Sequence, residues 1–269
     1  MATPGPPRLQ PVSGTLPRGA RTALLAGTFN PITRAHAALA FAGHRSGRAR
    51  VVLAMAPVSL DKEGVERAHP LDRLDWVRTW ARPHPWAVVA VSSHPLLVDM
   101  AESLARSTGA EVALLVGTDK ASQLVDPRYY DDLEAAVRRL GRAASLLVAE
   151  RAGHPATPLP LRSAPLATPG WTPGRSSTQA REAARRGEAL EELVPSAVAR
   201  AIRRTGAYDE DAGPYLARAR ELDGLIAARG PGGGRARPHH GARVPETAER
   251  QHPGEPGLAS SPARKDYGR

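Results

Sequence analysis

Cysteine is absent from this chain of 269 residues, which excludes disulfide bonds and thiolate metal sites. Lysine is nearly absent: only Lys62, Lys120 and Lys265 stand among 37 basic residues, and arginine supplies the rest. Asparagine occurs once, phenylalanine twice and isoleucine three times. No apolar run approaches the ~18–20 residues of a membrane-spanning helix. The opening MATPGPPRLQPVSG lacks the apolar stretch of a secretion signal. These gaps lead us to expect a soluble, cytoplasmic protein with no membrane partner. A hydrophobic content of 41% is enough for a sizeable core.

The formal net charge of +10 invites a nucleic-acid reading, but its distribution argues against one. Residues 1–20 hold two arginines and no acid, and residues 230–269 hold seven basic and four acidic side chains, which leaves +5 on residues 21–229. In a chain rich in Ala, Gly and Pro, excess arginine reads as solvated surface. No aromatic-and-basic sheet motif of the RNA-binding kind is present. Nucleic acid is therefore not the expected partner. The sequence is compatible with a homo-oligomer.

Short apolar runs recur: TALLA (22–26), VVLAMA (51–56), AVVAV (87–91), EVALLV (111–116) and ASLLVA (144–149). Each is too short for a buried helix and has the continuous apolar character of a strand covered on both faces. Helical patterns lie between and around them, over 34–45, 70–81, 97–107 and 131–141. This alternation predicts an α/β fold, a Rossmann-like doubly wound parallel sheet. The stretch STQAREAARRGEALEELVPSAVARAIRRTGAY (177–208) predicts closing C-terminal helices divided at Pro195. We expect a flexible leader over 1–20, a domain over 21–210, a further helix within 211–229 and a disordered tail over 230–269.

The rare letters gather. Phe29, the only asparagine Asn30, and Ile32 fall together in GTFNPITRAHAALA (27–40), just after the first apolar run. Gly27 ends that run where the chain must turn and where a ligand can approach the backbone. The following helix start offers free N–H groups and a positive dipole end, and His36 near its first turn can donate to a phosphoryl oxygen. The plainer reading is an ordinary turn with a surface histidine. In RSSTQAREAARRG (175–187), Ser176, Ser177 and Thr178 precede a helix with Arg181 one turn in, a second anion site; the plainer reading is a helix cap with a solvated arginine. In VGTDK (116–120), Gly117 and Asp119 stand at the carboxyl end of a strand, where open α/β sheets bind ligands; a capped turn reads as well.

Taken in this order, the three sites resemble the nucleotidyltransferases with HxGH and SSTxxR signatures. Within them the chain is most similar to the nicotinate/nicotinamide mononucleotide adenylyltransferases. The resemblance covers about 22–208 and extends to the ending EELVPSAVARAIRRTGAY. Thr33 stands where the family usually has its first histidine, and Ala35 where it has glycine, so the motif reads T-x-A-H; a threonine there also occurs in the nicotinamide-type branch.

The resemblance implies that a mononucleotide phosphate attacks the α-phosphorus of ATP and that pyrophosphate leaves. It assigns His36, Thr33 and Arg181 to catalysis. Gly27, Thr28, Phe29, Gly117, Asp119, Ser176, Ser177 and Thr178 would bind ATP, with Mg²⁺ arriving on the triphosphate. Asn30, Lys62, Tyr129 and Tyr130 are candidates for the acceptor. A solvated lysine and a tyrosine pair that merely packs a loop are the plainer readings of the last three. The segment HPLLVDMAESLA and the missing tryptophan after the Gly-x-Asp loop depart from the family and leave the acceptor open. A cytidylyltransferase, another nucleotidyltransferase with a different phosphorylated acceptor, or a nucleotide-binding protein without catalysis are the alternatives.

The tail carries its own expected result. Residues 230–269 hold almost no large apolar side chains, only Val244, Leu258 and Tyr267. They cannot offset an ordering cost of ~1–2 kcal/mol per residue. A chain ending at residue 229 should match the full chain in thermal midpoint and in nucleotidyl transfer. A drop of several degrees, or lost activity restored by adding the tail back, would contradict this.

Overall fold

The computed structural model describes residues 6–16, 18–56, 68–156 and 158–228. Lys62 and the tail from residue 229 onward lie outside the described residues.

Seven described strands build one sheet: β1 (Leu9–Ser13), β2 (Thr22–Gly27), β3 (Arg50–Met55), β4 (Ala87–Ser92), β5 (Val112–Gly117), β6 (Ala144–Ala149) and β7 (Ser163–Pro165). Their order is β1-β4-β3-β2-β5-β6-β7, and every neighbouring pair is parallel except β1 with β4. The helices are α1 (Arg34–Arg45), α2 (Pro70–Ala81), α3 (Leu97–Thr108), α4 (Thr118–Gln123), α5 (Leu133–Ala143), α6 (Ser177–Arg185), α7 (Ser196–Thr205) and α8 (Gly213–Ala228). The fold is the Rossmann-like α/β architecture, a doubly wound sheet with helices on both faces.

The strand sequences are apolar throughout because successive side chains enter different cores. Leu25, Val51, Leu53 and Val89 pack with Trp76 and Trp80 of α2 and with Val198 and Ile202 of α7. Their alternates Leu24, Val52, Ala54 and Val88 pack with Met100 and Leu104 of α3 and Leu140 of α5. From β2 the chain winds outward through β3 and β4, then crosses to β5, β6 and β7 on the other side. The carboxyl ends of β2 and β5, at Gly27 and Gly117, therefore flank the switch point of the sheet, where ligands bind in such folds.

The leader is not flexible throughout. Leu9–Ser13 forms β1, an antiparallel edge strand paired Leu9 to Ser92 and Pro11 to Ala90. Leu9 is buried and its N–H donates to Ser103 Oγ at 3.1 Å. Pro11 is tolerated because an edge strand needs ladder hydrogen bonds on one side only, and the register shifts between Pro11 and Ser13. The closing helices are separated by more than Pro195. Helix α6 ends at Arg185, Gly187 takes the left-handed conformation (φ 65°), and Pro195 serves as the N-cap residue of α7. Helix α8 falls within 211–229. The described residues up to Leu225 belong to one compact unit. Among the described residues, no helix is long and apolar enough to cross a membrane.

Candidate active site

The turn between β2 and α1 is tied down from three directions. The Thr28 carbonyl accepts from Arg73 Nη1 of α2 at 2.9 Å. The Asn30 carbonyl accepts from Arg181 Nη1 of α6 at 2.9 Å, and the Pro31 carbonyl from the Ser177 hydroxyl at 2.9 Å. The Asn30 side-chain oxygen accepts from Tyr208 OH at 2.6 Å. Burial pushes the Tyr208 phenol well above its usual range, so it stays a donor. Within the turn the Asn30–Pro31 bond is cis, and Phe29 has a positive φ of 45°, uncommon for a side chain of this size. The two stretches that look like phosphate turns in the sequence, 150 residues apart, are thus bonded to each other.

Thr33 and His36 form a closed unit at the start of α1. Thr33 is the N-cap residue: its Oγ1 accepts from the His36 N–H at 3.3 Å, and His36 Nδ1 accepts from the Thr33 N–H at 3.0 Å. Oγ1 and Nδ1 are 2.8 Å apart. An accepting Nδ1 leaves the ring proton on Nε2, which becomes the donor offered outward. Phe29 meets the ring edge-on with centroids 5.3 Å apart. Burial, and next the Arg151 guanidinium, lower the His36 pKa from its ordinary 6.5 to about 4, with Asp119 opposing.

The pH consequence has a definite sign. At neutral pH the folded protein holds His36 uncharged. Below pH 6.5 the unfolded chain takes up a proton that the folded chain refuses, so this group makes folding weaken as pH falls from 6.5 towards 4. In the free protein, the His36 ring resonances should show no titration midpoint between about pH 5.5 and 8. His36→Gln should remove part of the acid destabilisation in that window. A midpoint near the ordinary value would contradict the buried, neutral assignment.

The second helix start is the more open of the two. Ser176 caps α6 through a capping box with Gln179: its Oγ accepts from the Gln179 N–H at 3.1 Å, and its N–H donates to Gln179 Oε1 at 2.9 Å. The Ser177 hydroxyl is committed to Pro31. Thr178 is exposed, and its Oγ1 accepts from Arg181 Nη2 at 3.2 Å, which leaves its own proton for a ligand. The N–H groups of Ser177 and Thr178 have no partner among the described residues. In α1, by contrast, Arg34 N–H donates to the Leu193 carbonyl and His36 N–H to Thr33, which leaves Ala35 N–H.

Gly117 caps α4, and a Cβ there would crowd Asp119 Oδ1 and turn the carboxylate aside. Asp119 faces Arg151 Nε at 3.9 Å. Arg151, just past β6, also donates Nη1 to the Arg175 carbonyl and its N–H to Thr118 Oγ1 at 3.0 Å. It joins the Gly-x-Asp turn to the approach of α6, and its charge and that of Asp119 are both felt at His36.

Several expected contacts are reassigned. Thr33 is fully buried and its Oγ1 contacts His36 Nδ1, so it orients the imidazole. Phe29 and Asn30 are buried, the first against His36 and the second against Tyr208, and they shape the turn. A Cβ on Gly27 would make only ordinary contact with the Phe29 ring, 3.6 Å away, so crowding does not demand glycine there. Tyr130 packs against the core on the α3 side, and burial followed by the nearby Asp99 charge raises its pKa. The Tyr129 ring has the Arg128 guanidinium 5.7 Å from its centroid. The reading of the residues missed Arg73, Arg151 and Tyr208. Arg151 could have been found by the rule that singled out Asp119, since it too follows a strand at its carboxyl end.

No protein-family model matches the chain, and no curated protein matches it by sequence. Among solved structures, Plasmodium falciparum nicotinic acid mononucleotide adenylyltransferase complexed with NaAD is similar in fold, with a TM-score of 0.57 at 13% identity over 70% of this chain and 97% of that one. The same enzyme complexed with APC gives a TM-score of 0.55 at 12% identity, over the same shares of the two chains. At such identity the likeness establishes the fold.

Proposed function

We propose that this chain is an adenylyltransferase that joins the AMP part of ATP to the phosphate of nicotinate or nicotinamide mononucleotide, releasing pyrophosphate, in NAD biosynthesis. One observation carries the reading: Ser177 and Arg181 at the second anion-binding helix start bond directly to the Pro31 and Asn30 carbonyls of the first turn, beside a neutral His36. Two phosphate-binding devices joined at a sheet switch point suit a triphosphate held along its length.

In this mechanism an oxygen of the acceptor phosphate forms a bond to the α-phosphorus as the α–β anhydride bond breaks, and the electron pair leaves with pyrophosphate. No protein nucleophile is needed; positioning and charge neutralisation supply the catalysis. His36 Nε2–H donates to an α- or β-phosphoryl oxygen. Thr178 and Arg181, with the N–H groups of Ser177 and Thr178, hold the β- and γ-phosphates. Asp119 accepts from the ribose hydroxyls over Gly117. Mg²⁺ enters as part of the MgATP substrate, held by phosphate oxygens and water, which suits a site without a cluster of three acidic or histidine side chains among the described residues.

The nicotinate acceptor is favoured by the fold neighbour, whose structure was solved with NaAD. The test is a panel: ATP or CTP with nicotinate mononucleotide, nicotinamide mononucleotide, pantetheine phosphate or choline phosphate, following pyrophosphate. Turnover should need ATP and a pyridine mononucleotide. Turnover with CTP or a non-pyridine acceptor would move the chain elsewhere among the nucleotidyltransferases.

A further inference from the structure

The outer flank of α1 carries a cavity of about 370 Å³ that runs from the first residue of the helix, Arg34, to its last, Arg45. Its floor is a single helical stripe: Arg34, Ala37, Ala38, Phe41 and Arg45 follow the i, i+3, i+4, i+7, i+11 spacing of one face. Ala37 and Ala38 leave room over the helix, Phe41 and Trp80 add aromatic surface, and Pro169 and Pro195 complete the lining. Trp171 stands at the Arg34 end with 39% of its surface exposed, a large indole left open to solvent. Among the described residues, no acidic one lines the cavity.

The two arginines are not equivalent. Arg34 is committed: its guanidinium lies over the Trp171 ring at 5.1 Å, and its Nη1 reaches the Glu191 carbonyl at 3.2 Å and Glu192 at 3.5 Å. Arg45, about 16 Å further along the axis at 1.5 Å per residue, has no ion-pair partner among the described residues. The cavity therefore has an aromatic, charge-compensated end and an end with an uncompensated cation. Its size falls within the range of small-molecule sites, which are mostly apolar with a few oriented polar groups.

We propose that this cavity binds a small planar aromatic anion, with its ring on the Ala37–Ala38 floor between Trp171 and Phe41 and its carboxylate or phosphate on Arg45. None of the residues assigned above to nucleotidyl transfer lines it. The aromatic walls select a flat ring and Arg45 selects negative charge, because a charge-assisted hydrogen bond outweighs a neutral one.

The test uses the full chain and three isosteric probes: 2-naphthoate, 2-naphthamide and 2-naphthylmethylammonium, followed by calorimetry and by saturation-transfer NMR, with saturating ATP present and absent. The anion should bind about tenfold or more tightly than the amide, and the ammonium should not bind. Arg45→Glu should erase the preference for the anion, and Trp171→Ala should weaken both the anion and the amide. Binding should persist under saturating ATP. Equal binding of anion and amide, an Arg45→Glu chain that still prefers the anion, full displacement by ATP, or no binding of 2-naphthoate at millimolar concentration would each overturn the proposal. Because the readout is binding, the outcome does not depend on whether the chain transfers nucleotide.

Discussion

His36→Ala should lower nucleotidyl transfer by about 10²–10³ while the chain still folds, the usual loss for one oriented donor to a developing charge. The imidazole is held on two sides: Thr33 N–H and Oγ1 both contact Nδ1, and the Phe29 ring meets it edge-on. The accepting Nδ1 fixes Nε2–H as the outward donor, and burial together with the Arg151 charge keeps the ring neutral at working pH. The loss should therefore fall on kcat more than on the KM for ATP, because the donor matters most as charge develops on the leaving oxygens. His36→Asn should recover only part, having no ring to fill the space beside Phe29. Near-normal turnover in the alanine variant would remove His36 from the chemistry.

Arg181→Ala should raise the KM for ATP and lower kcat together, because this residue has two duties. Nη1 holds the Asn30 carbonyl and so fixes the first turn, while Nη2 lies on Thr178 Oγ1 at the open start of α6. Arg181→Lys should rescue partially: an ammonium restores charge but cannot span both contacts with a fork. Full rescue by lysine would reduce the role to charge alone, and no effect from either change would exclude the residue. Stability should fall by about 1 kcal/mol, the typical value for one such hydrogen bond, so a large thermal shift would mean that the activity loss reflects the fold.

The sheet was legible in the sequence because parallel strands buried on both faces are apolar at every position, and five runs of that kind are β2 to β6. The turn over 27–40 was legible because rare residues gather there in a biased alphabet, and the start of α6 because Ser176, Ser177 and Thr178 stand together before a helical stretch. The edge strand β1 was not: its anchor is one leucine in a Pro- and Gly-rich leader, and the rest of its stabilisation is backbone pairing, which leaves no pattern in side chains. Arg151 was hidden for the opposite reason, since one more arginine does not stand out among so many. The part Thr33 plays in orienting His36 was not legible, because hydroxyls that cap helices and hydroxyls that bind anions occupy the same positions. Only the contact with His36 separates the two roles. The tying of turn 28–31 by Arg73, Ser177, Arg181 and Tyr208 depends on tertiary packing between segments far apart in the chain, and no local spacing announces it.

The most direct test of the proposed reaction follows the label of [α-³²P]ATP incubated with the full chain, Mg²⁺ and nicotinate mononucleotide. Adenylyl transfer predicts that the label appears in the dinucleotide, one equivalent for each unlabelled pyrophosphate released. Label that stays in ATP bound by a fully folded protein, or that leaves as free ADP or AMP without dinucleotide, would contradict it.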